Sequence, residues 1–222
     1  MWKFKGISSE DMDIVASELD FTAKAPQRIN QVNVDGKNES QYNPLGYEEV
    51  DIDVFLQLLD PTRESEVYAW LNGEGMLEYA GKISKAYFYG SFQLTRDASI
   101  KTGKVKFMRS PFWHSAIDEF TTITTSVINA GTTPAQPLLR FEKVASQTFD
   151  ITIGGVRFQY DFGSDTFVEI DCGTGSVTFD GLYRFNQVAI GFDLPILPVG
   201  INIVTLHSGD PVIKIKQKDR WL

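Results

Sequence analysis

FDLPILPVGINIV, Phe192–Val204, is the most apolar window of a 222-residue chain. It could be a membrane segment, the lining of a ligand pocket, or a turn between strands. A spanning helix needs roughly 18 uninterrupted apolar residues. This window falls short of that, and Pro195 and Pro198 would break the helix by removing donors and clashing with the preceding turn. Membrane insertion is therefore not expected. Pro198, with its fixed φ, suits a turn that Gly200 closes. Ile201 to Leu206 then read as a strand, with Asn202 bonding to nearby backbone at its start. Pro195 cannot donate to a ladder, so the segment before the turn reads as an edge or connector. The hydrophobicity of the window is expected to belong to a β-sandwich core.

The surroundings carry the same texture. From KVKFMRSPFWHS (Lys104–Ser115) onward every segment is strand-like, including LLRFEKV, FDITIGGVRFQYDF, TFVEIDCG and VIKIKQKDRWL. The connectors are rich in turn residues: NAGTTPAQP, Gly154-Gly155, Asp180-Gly181 and SGDP. Short strands at near-regular spacing indicate a sandwich or barrel. The first half mixes strands with one helix. YEEVDIDVFLQLL (Tyr47–Leu59) alternates Val50, Ile52 and Val54 before becoming fully apolar. After it Asp60 reads as a helix N-cap, with Pro61 at the first helical position where no hydrogen bond is lost. Val67, Trp70 and Leu71 make an i, i+3, i+4 stripe, and Asn72-Gly73 ends the helix. The expected fold is mainly β, two packed β-sandwich domains. Residues 1–110 form the N-terminal one with a single helix near 61–71, and residues 111–222 the C-terminal one.

The formal net charge is −8, with 17 Asp/Glu against 11 Lys/Arg in residues 1–104 and 12 against 10 in the rest. A chain of this sign does not neutralise nucleic-acid phosphates, so stable binding to DNA or RNA is not expected. Cys172 is the single cysteine, which excludes an intrachain disulfide and fits synthesis in a reducing compartment. MWKFKGISSEDMDIV at the start has no apolar core of signal-peptide length.

Residue types for catalysis are sparse. His114, His207 and Cys172 lie far apart, with no HxxxH or CxxC spacing for a metal. Cys172 on FVEIDCG reads as a small buried thiol rather than a nucleophile. DCGTG resembles an aspartic-protease loop, but that chemistry needs two such loops sharing a proton. A glycine turn is the better reading. The acidic pairs Glu48-Glu49 and Asp118-Glu119 are adjacent, so on strands they face opposite sides. No enzyme, no metal and no cofactor is expected. In VIKIKQKDRWL, Lys214, Lys216, Lys218 and Arg220 alternate and are expected to form one cationic strand face. Such a row guards a sheet edge or face against aggregation, or meets an acidic surface.

Taken in order, these pieces resemble the distal tail protein (Dit) family of long-tailed bacteriophages. The matching run is FKGISSEDMDIV, VNVDGKNES, EVYAWLNGEGMLEY, KAYFYGSF, KVKFMRSPFWHS, VINAGTTPAQPLLRF, FDITIGGVRF, FVEIDCG, FDLPILPVGINIV and the terminal Arg220-Trp221-Leu222. The resemblance spans essentially the full chain. It implies a C-terminal sandwich of galectin-like topology and an N-terminal domain that forms a homo-oligomer, a hexameric ring, single or stacked in pairs. It further implies a virion protein at the distal end of the tail, made in the bacterial host cytoplasm. Its expected partners are the tail tube protein, the tail-tip protein and receptor-binding proteins, with DNA passing through the lumen unbound. If the acidic half lines that lumen, like charges keep the genome from sticking. The family's inserted sugar-binding modules have no room in 222 residues.

For ring contacts the segment Val32–Tyr47 is the first place to look, with Asp35 at its Asp-Gly turn and Tyr42 and Tyr47 flanking a polar stretch. These tyrosines either anchor a neighbouring subunit or pack under their own loop. A second function class also fits, a carbohydrate-binding module in which Trp113 and Tyr183 stack on host glycans. Both readings stay open at the level of sequence.

Overall fold

The computed structural model describes residues 1–18, 23–33, 35, 38–97, 99–190 and 193–222. Gly36 of the expected Asp-Gly turn and Phe192 of the apolar window lie outside these. The chain divides into two compact units, Met1–Ala116 together with Leu222, and Ile117–Trp221.

The N-terminal unit contains β1 (Trp2–Phe4), β2 (Ile7–Ser8), β3 (Ile14–Glu18), β4 (Gln27–Val32), β5 (Gln41–Tyr47) and β6 (Val50–Leu58). After α1 (Glu64–Trp70) come β7 (Gly73–Tyr79), β8 (Lys82–Phe88), β9 (Thr95–Asp97), β10 (Ile100–Arg109) and β11 (Trp113–Ser115). An antiparallel path runs β2-β1-β7-β8-β10-β6-β3. In β6 the alternation of buried and exposed residues persists to Leu58, so Phe55 faces solvent within a run that reads as wholly apolar. Trp2 lines the same enclosed apolar gap as Val54, Leu56, Phe88, Val105 and Phe107. Strands from distant positions on the path thus face each other, sandwich-fashion.

The helix begins as a 3-10 turn, Pro61–Arg63, whose first amides are met by Asp60 Oδ1 accepting from Thr62 N at 3.0 Å. It becomes α-helical at Glu64, and Val67, Trp70 and Leu71 are all buried. Trp70 stacks on Trp2 with ring centroids 4.9 Å apart, and its indole N–H donates to the Phe4 carbonyl at 2.8 Å. That bond satisfies the one polar atom a buried indole carries.

The C-terminal unit contains β12 (Thr121–Ile123), β13 (Ser126–Asn129), β14 (Leu138–Glu142), β15 (Thr148–Ile153), β16 (Val156–Asp161) and β17 (Phe167–Asp171). These are followed by β18 (Ser176–Phe179), β19 (Leu182–Tyr183), β20 (Val188–Ile190), β21 (Gly200–Ser208), β22 (Val212–Lys216) and β23 (Arg220–Trp221). Two antiparallel sheets run β12-β22-β14-β17-β18-β19 and β13-β21-β15-β16-β20. β15 and β16 form a hairpin across Gly154 and Gly155, both at positive φ, where a side chain would be strained. The inner faces meet in an aromatic core. Phe141 and Phe149 stack at 4.5 Å, with Phe158, Tyr160 and Phe162 around them.

The apolar window departs from its expected burial. Leu197 is fully enclosed and bridges Ala135, and the Asn202 amide donates to the Pro198 and Gly200 carbonyls at 2.9 Å each. The turn and the strand start are as the residue types suggest. However, Ile201 is 70% and Ile203 61% exposed, while Asn202 and Val204 point inward. With a side-chain period of two, the inward place of Asn202 puts both isoleucines on the outer face. The hydrophobicity of the window therefore belongs only in part to the core.

Asp219 is buried with one oxygen accepting from Ala130 N at 3.2 Å and the other, Oδ1, without a hydrogen bond. Burial pushes its carboxyl above the ordinary 3.8, against the pull of the Ala130 N–H. A raised acid costs stability once pH climbs from the unfolded value through the folded one. Asp219→Asn is expected to gain about 1 kcal/mol at pH 7, with the gain vanishing below pH 3.8. Urea titrations of both proteins across that range measure it, and an equal gain at all pH values would refute the ionic origin.

Candidate assembly surfaces

No group of three or more His, Cys, Asp or Glu side chains gathers at metal-binding distance among the described residues. Among the described residues no helix is long and apolar enough to cross a membrane. The Cys172 thiol is buried, and burial, then the neighbouring Asp171, pushes it up to about 12. A thiol held there is not a nucleophile at neutral pH. Asp171 accepts from Gly173 N at 2.8 Å and Thr174 N at 3.3 Å, so DCGTG is a carboxylate-closed turn. His207 Nε2 lies 2.8 Å from the Thr152 hydroxyl on an exposed strand.

The surfaces that carry chemistry are faces and edges. Among the described residues β4 and β5 pair only with each other, and all their residues except the last of β5 are exposed. Asp35 lies in the turn and is exposed. Tyr42, opposite Gln31, is 62% exposed, with Ile29 and Leu45 also in solvent. Tyr47 is half-buried and meets Phe112 edge-on at 5.5 Å. The two tyrosines therefore divide, Tyr47 packing locally and Tyr42 presented outward. Ile29 and Leu45 are missed by reading the sequence, because nothing in QRINQV or QYNPLGY signals that no third strand covers them.

The cationic row has its counter-ions close by. Lys214 reaches Glu142 at 2.8 Å, Lys216 reaches Asp118 at 3.1 Å and Lys218 reaches Asp171 at 3.3 Å. Arg220 donates to the Pro134 carbonyl at 3.0 Å. Arg140, across from Lys214, bonds Glu142 and Glu169 at 3.1 Å each and lies 3.9 Å over the Phe167 ring. The Lys214 ammonium, by hydrogen bond, holds Glu142 below its ordinary range. Of the two expected places, edge or face, the row takes a face, because β22 sits between β12 and β14. Strand alternation also stops at Lys216, since Lys218 takes a positive φ. The row is a mixed ion-pair network whose acids come from positions far away in the chain.

Arg109, at the end of β10, is a residue that patterning does not single out. It is fully buried, donates to the Ser110 and Ala23 carbonyls at 2.7 and 2.8 Å, and lies 4.8 Å over the Trp113 ring. Its guanidinium has no carboxylate in these contacts, and burial lowers it to about 10. Trp113 is thereby enclosed at 4% exposure and not presented for stacking on a sugar, whereas Tyr183 is 77% exposed.

Residues 130–221 match the family model described as the siphovirus-type tail component, C-terminal domain. No curated protein matches the chain in sequence. Among solved structures the chain is similar to Dit (gp 19.1) of phage SPP1, titled a paradigm of the hub adsorption apparatus in phages infecting Gram-positive bacteria. The TM-score is 0.76 at 11% identity, covering 100% of this chain and 98% of that one. Over residues 130–221 the chain is thus similar to the siphovirus-type tail component family, and over its whole length it has the fold of SPP1 Dit.

Proposed function

We propose that the protein is the hub of a long-tailed phage, six copies forming a ring at the distal end of the tail. The ring joins the tail tube to the tail tip, carries the receptor-binding proteins and leaves a lumen through which DNA passes unbound. One observation carries the ring: the β4–β5 hairpin, exposed on both faces and, among the described residues, paired with no third strand. A two-stranded hairpin alone is marginal in water, and a neighbouring subunit supplies the missing cover for Tyr42, Ile29 and Leu45. Tyr42→Asp combined with Leu45→Asp is expected to abolish sixfold rings in negative stain, with a thermal midpoint within about 3 °C of the parent because both sites are exposed. Rings that persist in the double variant would remove the hairpin from the contact.

The carbohydrate-binding reading keeps Tyr183 and loses Trp113. Binding to a glycan array by a strict monomer would favour it over the hub.

A further inference from the structure

Four strands of the N-terminal unit set an apolar strip between carboxylates. Asp51 of β6 pairs with Met108 of β10, Met108 with Tyr87 of β8, and Tyr87 with Glu74 of β7. Cross-strand partners share a face, so this row has an acid at each end and Met108 and Tyr87 between them. Tyr87 and Met76 are exposed, and Tyr89 stacks on Tyr87 with ring centroids 6.2 Å apart. A cavity of about 300 Å³ opens on the same face, lined by Glu49, Glu74, Lys85, Tyr87, Met108 and Ser110. Glu74 pairs with Lys85 at 2.9 Å. Among the described residues exposed Glu49 has no cation at ion-pair distance, and Asp51 accepts from the Tyr89 hydroxyl at 3.2 Å. Three carboxylates against one ammonium leave the site net negative.

The hairpin carries the matching charge. Arg28 is the single charged residue of β4 and β5, QRINQV and QYNPLGY. It lies where the register of the pair slips, between Gln27 and Ile29, and its guanidinium donates to the Leu45 carbonyl at 3.3 Å. Such an irregularity re-aims a side chain, and here it leaves Arg28 in solvent beside exposed Leu45. A ring that closes by rotation joins unlike patches, so each copy that offers a hairpin receives one elsewhere on its surface. We propose, resting on the hub reading above, that the receiving surface is this outer face of β6, β10, β8 and β7. The Arg28 guanidinium of one copy enters the cavity flanked by Glu49 and Glu74 of the next, and Leu45 settles against Tyr87 and Met76.

The chemistry of the two sides agrees. A guanidinium pairs with carboxylates and lies flat on an aromatic ring, and the cavity offers both. Methionine thioethers adapt to an incoming apolar side chain. Glu74 already shares its charge with Lys85, so Glu49 is the principal partner of Arg28. Reversing one of these two charges sets like charges face to face, and reversing both restores the match.

Cross-linking between two differently tagged copies tests it. Native Cys172 is buried and serves as a silent background. Asn30→Cys, on the exposed hairpin near Arg28, is mixed with Ser110→Cys, on the cavity wall. A short bismaleimide, with the reach of an arginine side chain, then joins the thiols. The heterodimer is expected at a yield at least tenfold above that of Asn30→Cys mixed with Thr122→Cys, an exposed site in the C-terminal unit. Glu49→Lys in the Ser110→Cys copy is expected to cut the yield at least tenfold. Arg28→Glu in the Asn30→Cys copy then restores at least half of it, with thermal midpoints unchanged throughout. A yield at the control level, a yield indifferent to Glu49→Lys, or no recovery with Arg28→Glu would each overturn the inference. Rings lost in the Tyr42→Asp, Leu45→Asp protein, with cross-linking of the marked pair at the control level, would keep the hairpin in the hub contact and strike this receiving face alone. Rings that persist in that protein, with cross-linking that follows the two charges, would uphold the Arg28 contact and speak only against the hairpin's part in the ring.

Discussion

Phe149→Ala is expected to destabilise the protein by about 4 kcal/mol, the scale of a fully enclosed aromatic lost from a core. The Phe149 side chain is completely buried and stacks on Phe141 across the two sheets, with Phe162 at 5.3 Å, Tyr160 at 6.0 Å and Phe158 at 6.1 Å. Two costs add. The ring's transfer from water is forfeited, and the space left is framed by rigid aromatic plates that cannot fold inward as aliphatic chains do. β15 is held on both sides, by β16 and β21, so the backbone cannot move in to close the gap. Urea unfolding measures the loss, with Tyr183→Ala as an exposed aromatic control expected to stay within about 0.5 kcal/mol. A loss below about 1.5 kcal/mol for Phe149→Ala would show that the core repacks and that Phe149 is not its centre.

Asp165→Ala is expected to cost about 3 kcal/mol, in the range for removing one partner of an enclosed charge pair. The Asp165 side chain is 1% exposed and accepts from Arg184 Nε at 2.9 Å. The Tyr160 hydroxyl is shared between Asp165 Oδ2 at 3.1 Å and Gln187 Oε1 at 2.5 Å. Burial, then Asp165, pushes the Tyr160 hydroxyl well up, so it acts only as a neutral group. Alanine would leave Arg184 half-covered without its carboxylate and Tyr160 with one partner fewer. Asp165→Asn keeps an acceptor and should cost about half as much. The comparison separates shape from charge: equal losses for Ala and Asn would assign the whole effect to the ionic bond, and no loss for either would show the pair to be dispensable.

Much of the β architecture was legible because it rests on local rules. VDIDVFLQL alternates as a half-buried strand must, Gly154-Gly155 demands a turn, and Asp60-Pro61 sets a helix start. The window FDLPILPVGINIV was legible as a turn and a strand but not as an orientation. Both faces of that strand carry plausible core residues, and only the inward seat of Asn202, bonded to Pro198 and Gly200, decides which isoleucines are left outside. The lysine row shows a different limit. Its alternation is visible along the chain, whereas Glu142 and Asp171 reach it from strands far away in sequence. Arg109 is harder still, since its burial depends on the Ala23 carbonyl and the Trp113 ring. The hairpin's exposure could not be read at all, because a missing neighbour leaves no mark in the residues that lack it.

The strand order of the C-terminal unit has a consequence for synthesis. β22 is inserted between β12 and β14, and β21 between β13 and β15. On the ribosome β12 to β15 emerge first, and each sheet then has a gap where a later strand belongs. Neither can close until residues beyond 200 have cleared the exit tunnel. β1 to β10 of the N-terminal unit, by contrast, are all made before residue 110. The nascent C-terminal strands therefore wait with open edges while the rest is translated, the condition in which β-rich chains lean on chaperones. Slowing elongation within β16 to β20 should lengthen that exposure and lower the soluble yield of this half before the other.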